Sequence, residues 1–308
     1  MAAAVIIELP DTSTTAVNKR LDRVREEVGA VTTGRVLTLI IAVSGEALLE
    51  ESIAAANAAS HEHPCRVIVV APGGTGADRE PRLDAQLRVA GDAGAGEVVV
   101  LRLCGPLAGH ADSVVLPFLL PDIPVVAWWP DDAPATPAQD PLGRLAIRRL
   151  TDATNDRDPL AAIRRRLPGY TAGDTDLAWS RITYWRALLA SALDQPPHEP
   201  VTAVRVSGLK SEPALDVLAG WLASRLDAPV RREFGELRIE LIRDSETITL
   251  SRPQEGVVAT LSRTARPDTL ISLPRRDVAE CLAEDLRRLD GDEIYRAALD
   301  GINRVRYP

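Results

Sequence analysis

Four short, largely apolar runs lie at residues 36–43, 66–70, 98–103 and 124–129, with helical stretches between the first and second and between the third and fourth. This alternation constrains the fold more than any other feature of the chain. A run that is apolar on both faces, without alternation, must be buried on both. Strands of that kind line up in parallel and need crossover connections, usually helices, that cover the sheet. The spacing of Val17, Leu21, Val24 and Val28 predicts a helix after a capping stretch at 11–15, closing at Gly29 or Gly34. Residues 46–59 are alanine-rich and helix-forming, and Pro64 breaks the chain before the second run. Leu83, Ala85, Leu87 and Val89 alternate with polar residues, as in a half-exposed strand. A helix over 107–116, a short helix near 141–145 and a strand over 146–150 complete the series.

The fold class expected is therefore an α/β N-terminal domain with a mainly parallel sheet, over residues 1–170. A connecting segment follows at 171–197. Its Ala178, Ile182, Trp185, Leu189 and Ala192 form the apolar stripe of one amphipathic helix over 176–193, with Trp179 at the flank. A proline-rich linker comes next, at 195–200. Residues 198–308 read as an α+β C-terminal domain. It has a strand at 201–206, a helix at 213–226, four alternating runs at 230–234, 237–243, 247–251 and 257–261, and terminal helices at 277–289 and 293–305. The four runs predict an antiparallel meander.

Composition excludes several classes. Of 308 residues, 45% are hydrophobic and 26% charged, the balance of an ordinary soluble globular chain. No apolar run approaches the roughly 20 residues of a membrane span. The N-terminus lacks the basic flank and apolar core of a signal peptide. The expectation is a cytoplasmic protein with no membrane partner. A net charge of −8 opposes nucleic-acid binding. Cys65, Cys104 and Cys281 are odd in number and far apart, as in reduced thiols, and there is no CxxC.

Trp128 and Trp129 stand side by side before Pro130, at the end of the last run. Neighbouring side chains on a strand point to opposite faces, so one core face accepts one ring. Either both rings are core, under helices on both faces, or one meets a ligand or partner at the strand mouth. Trp129 is the one expected outward, because Pro130 already breaks the ladder.

Candidate chemistry is sparse. Pro72-Gly-Gly-Thr-Gly76 follows a strand but lacks the Gly-Lys-Ser/Thr of a phosphate loop, and Arg79 replaces the third glycine of a dinucleotide fingerprint. His61, His63 and Cys65 have no second ligand cluster to complete a zinc site, so no metal is expected. No Gly-x-Ser-x-Gly elbow exists. Asp131 and Asp132 follow a parallel strand at the edge where α/β sheets bind ligands. Arg35, His63 and Arg66 flank core strands and are candidate anion-binding residues for a small anionic metabolite. Between 144 and 166 lie seven arginines against three aspartates, either a solvated face or a docking patch for an acidic partner.

Several segments occur in a familiar order. They are Leu9-Pro-Asp-Thr12, residues 60–70 with His63-Pro-Cys-Arg66, 92–103, His110-Ala-Asp-Ser113, 121–130 with its double Trp, and Leu177-Ala-Trp-Ser-Arg181 through Pro196-Pro197. As an ordered set they resemble the glucose-6-phosphate dehydrogenase assembly protein family, OpcA, of the actinobacterial type. The resemblance implies a non-catalytic partner that binds and activates glucose-6-phosphate dehydrogenase, with no catalytic residues and no cofactor. It also implies a role in NADPH supply through the oxidative pentose phosphate pathway. Candidate partner-binding residues are Trp128 and Trp129 as aromatic anchors, with Arg144, Arg148, Arg149, Arg164 and Arg165 as polar contacts. Two alternatives stay open. One is a sugar-phosphate or nucleotide enzyme using Asp131, Asp132 and Arg66; the other is a pure scaffold.

Overall fold

Apolar runs at the centre and alternating runs at the edges assemble an eight-stranded sheet. In chain order its strands are β1 (Val5–Thr12), β2 (Leu37–Ala42), β3 (Cys65–Pro72), β4 (Arg82–Val89), β5 (Glu97–Cys104), β6 (Val125–Trp129), β7 (Arg148–Thr151) and β8 (Asp174–Asp176). The spatial order is β1-β4-β5-β3-β2-β6-β7-β8. The inner five, β5-β3-β2-β6-β7, run parallel; at one edge β4 pairs antiparallel with β5, and β1 antiparallel with β4. This computed structural model describes residues 5–28, 34–73, 80–89, 97–264 and 266–308. The turn at 91–96 and the glycine-rich segment after Gly73 lie outside the described residues.

The chain forms two compact units. The first holds Met1–Asn155, Gly169–Thr175 and Val278–Gly291; the second holds Asp156–Pro168, Asp176–Asp277 and Asp292–Pro308. In the first unit, helices α1 (Thr14–Val28), α2 (Leu49–Ala59), α3 (Ala111–Val115) and α4 (Pro141–Leu145) join the strands. Ser13 Oγ caps α1 by accepting from the Ala16 amide at 3.2 Å. Val17 and Leu21 of α1, Val114 and Val115 of α3 and Leu142 of α4 pack with Ile40, Ile68, Val99, Leu101, Ala127 and Trp129 in one core face.

The segment expected as one helix over 107–116 is instead a 3-10 turn at Gly105–His110, then α3, then a second 3-10 turn at Leu116–Phe118. His110, at φ −123° and ψ 34°, leaves the helical region between the first turn and α3, and Pro117 withholds a backbone donor in the second turn.

The second unit contains α5 (Pro159–Arg166), α6 (Leu177–Arg181), α7 (Thr183–Leu193) and α8 (Pro213–Arg225), and ends with α10 (Glu293–Gly301); α9 (Val278–Leu286) belongs to the first unit. Its sheet is β10-β9-β11-β12-β13-β14, built from β9 (Ala203–Gly208), β10 (Val230–Phe234), β11 (Arg238–Ile242), β12 (Thr247–Ser251), β13 (Val258–Arg263) and β14 (Arg266–Ser272).

Two expectations need correction here. The helix predicted over 176–193 breaks at Ile182, whose ψ of 6° leaves the helical region, and Asp176 caps α6 from outside. The run at 230–234 is not part of the meander: β10 pairs in parallel with β9 across the α8 crossover. Strands β11 to β14 form the antiparallel meander.

The proline-rich stretch is clamped within the second unit. Arg243 donates to Pro197 O at 2.6 Å, while Arg263 and Arg266 donate to Pro196 O at 2.9 and 2.7 Å. Glu246 pairs with both Arg243 and Arg263. On the covered face of the sheet, α8 crosses α10 backbone to backbone. A Cβ on Gly220 would collide with Ala298 O, and one on Gly301 with Gly220 O.

Candidate functional site

The parallel strands define the edge where a ligand would bind. From β2 the chain winds outward to β3 and β5, then returns to place β6 on the other side of β2 and β7 beyond it. The topological switch point is thus the gap between β2 and β6, and its carboxyl end is the usual ligand crevice of an open α/β sheet. Ser44 and Asp131 meet there. The Asp131 carboxylate accepts from the Ser44 amide at 3.1 Å and from the Ser44 hydroxyl. An internal carboxylate therefore occupies the backbone donor that a bound phosphate would use. Asp132, beside it, is held in the left-handed region at φ 39°. No group of three His, Cys, Asp or Glu side chains is placed to hold a metal ion among the described residues.

Trp128 and Trp129 both lie in the core, at 1% and 6% exposure. Trp129, expected outward, is covered by α4: Leu142 shares its cluster, and Gly143 lets the α4 backbone close over the ring. Trp128, one residue earlier, points to the opposite face. Its indole N–H is buried without a hydrogen-bond partner.

At the opposite, amino edge of the sheet a charge cluster forms that the sequence signalled only in part. Glu97 opens β5 and is 3% exposed. Arg25 of α1 grips it with two bonds, at 3.0 and 2.6 Å, and Arg35 with one at 2.7 Å. Arg66 Nε stands 3.5 Å away, while Arg66 also donates to Phe118 O at 2.6 Å. Burial opposes ionisation of Glu97, but the three guanidiniums outweigh it and hold the carboxyl below its ordinary range. Burial also pushes the Arg66 guanidinium down, to about 10.

Arg35 and Arg66, named from the sequence, are thus brought together, with Arg25 and Glu97 added by tertiary structure. His63, half-buried in the turn before β3, has a buried Nε2 without a partner. Burial pushes the neighbouring Cys65 thiol up to about 12, and all three cysteines are free and buried.

The structure separates the set Asp131, Asp132 and Arg66. Arg66 pairs with Thr38 at the start of β2, and Ser44 lies six residues further on. At about 3.3 Å per residue the two levels are about 20 Å apart.

The arginine-rich segment divides into framework and surface. Arg148 pairs with Asp285 of α9 at 2.7 Å and donates to Asp290 O at 2.9 Å. Arg149 pairs with Asp174 and bonds the carbonyls of Ala146 and Ala172, which ties β7 to β8. Both are buried. In the second unit Arg165 holds Asp156 at 2.7 Å, and buried Arg166 joins Asp156 to Asp176. Arg164 lies over the Tyr307 ring, 4.2 Å from its centroid. Arg144, Arg164 and Arg165 remain exposed.

Two family models match, covering most of the chain. Residues 56–167 match the glucose-6-phosphate dehydrogenase subunit N-terminal domain, OpcA type, and residues 172–299 match the C-terminal domain of the same subunit. The chain belongs to the OpcA family of glucose-6-phosphate dehydrogenase subunits. No curated protein matches it. The OpcA N-terminal match takes in β3 to β7 and both tryptophans, and the C-terminal match takes in the whole six-stranded sheet. Among the described residues no helix is long and apolar enough to cross a membrane.

Proposed function

We propose that this chain is a non-catalytic assembly factor and allosteric activator of glucose-6-phosphate dehydrogenase, acting in the cytoplasm and supporting NADPH supply through the oxidative pentose phosphate pathway. The observation that carries the reading is the pair of subunit-domain matches over residues 56–167 and 172–299. The separation of Asp131 and Asp132 from Arg66, and the engagement of the Ser44 amide by Asp131, favour binding over catalysis. An activator works by binding the active state of its target more tightly than the inactive one. The surface residues we assign to that contact are Arg144, Arg164 and Arg165, which can meet carboxylates bidentately.

The test is co-purification of the chain with the dehydrogenase of the same organism, followed by a kinetic assay of the enzyme with and without it. A stable complex with raised dehydrogenase activity is expected. Turnover by this chain alone would overturn the non-catalytic reading, and binding without a kinetic effect would reduce it to a scaffold.

A further inference from the structure

Three cationic side chains converge on the one carboxylate of Glu97. Arg25, Arg35 and Arg66 carry three positive charges against its single negative charge. Asp22, which pairs with Arg25 at 2.7 Å, is largely exposed and screened by solvent. Surplus charge at a position this buried is costly unless an anion neutralises it.

Two buried polar atoms at the cluster make no hydrogen bond, although Arg66 Nε faces Glu97 at 3.5 Å. Thr38 Oγ1 is fully buried and unbonded, and so is Arg66 Nε by hydrogen-bond criteria. Thr38 and Arg66 are paired in register on adjacent parallel strands, so their side chains share one face of the sheet. Arg35, directly ahead of β2, commits one of its nitrogens to Glu97 and is the more open of the two strand arginines.

We infer that Arg35, Arg66 and Thr38 form a binding site for a small phosphate-type oxyanion at the amino edge of the parallel sheet, with Glu97 as its fixed counter-charge. With Asp22 counted the surplus is one positive charge, which a phosphate monoanion matches. The guanidinium forks supply paired donors, and the hydroxyl supplies a further one. Burial, and after it the like charges of Arg35 and Arg25, lower the proton affinity of Arg66 against the opposing pull of Glu97. The site lies at the opposite edge of the sheet from the switch point.

The experiment uses the full chain without the dehydrogenase. Thermal melts and calorimetric titrations are run with inorganic phosphate, with glycerol phosphate as a monoester, and with sodium chloride at matched ionic strength. A saturable rise in melting temperature with phosphate, absent with chloride, is expected. Binding of the monoester as well would extend the site to phosphate esters; binding of inorganic phosphate alone would restrict it to the free ion. Arg35→Gln should weaken phosphate binding about tenfold or more. Thr38→Val, which keeps the shape and removes an unpaired buried hydroxyl, should weaken it several-fold without lowering the melting temperature of the phosphate-free protein. A phosphate effect equal to that of chloride would overturn the inference. So would undiminished phosphate binding in both variants.

Discussion

At the scale of single residues, the tryptophan expected at the strand mouth, Trp129, is core like its neighbour. Trp128 and Trp129 fill opposite faces of β6. Truncating either to Ala should cost about 3–5 kcal/mol, read as a lowered denaturation midpoint, with no selective loss of partner binding among molecules still folded. Glu97 makes a second test. Its carboxyl is depressed in the folded protein, so near and below the ordinary Glu value of 4.5 the unfolded chain takes up a proton that the native state refuses. The cluster's stabilisation is therefore complete above that value and is lost as pH falls through the folded pKa. Urea midpoints measured across this acid window should fall more steeply for the native chain than for Glu97→Gln. At the switch point, Asp131→Asn removes a charged acceptor from the Ser44 amide and should cost about 1–2 kcal/mol in the same assay.

At the scale of elements, local pattern and local breakers explain most of the secondary structure. The continuous runs became inner parallel strands because both their faces are covered, and the alternating 82–89 stretch became an edge-side antiparallel strand. Strand β1 carried too weak an alternation to be read and is defined by its pairing with β4. The break at Ile182 and the parallel placement of β10 were equally hidden, since neither involves a Pro or Gly signal at the point of change. The crossing of α8 and α10 gives an element-scale prediction. Gly220→Ala places a methyl group against the Ala298 carbonyl, so the helices must separate. The variant should lose about 1–3 kcal/mol, although alanine favours an isolated helix over glycine. Circular dichroism would show retained helix content with a lower melting temperature.

At the scale of the whole molecule, surface arginines should govern association more than stability. Arg144 is exposed with no side-chain partner among the described residues, and Arg164 is exposed over Tyr307. Arg144→Glu should leave the melting temperature nearly unchanged, whereas Arg164→Glu, which loses the Tyr307 contact and faces Asp216, should lower it modestly. Each should weaken dehydrogenase binding about three- to tenfold, with a flatter salt dependence measurable by titration at two ionic strengths.

What the sequence by itself determined is the layered α/β class, the buried strands, the meander and the family, because these rest on residue periodicity and ordered segments. Tertiary structure alone decided which charges meet. Arg148 finds Asp285 across 137 residues, and Arg25 finds Glu97 across 72. Such pairing follows strand order and register, which no local pattern encodes. The same register placed Arg35 and Arg66 around Glu97, set Asp131 and Asp132 at the other edge, and closed α4 over the tryptophan expected at the surface.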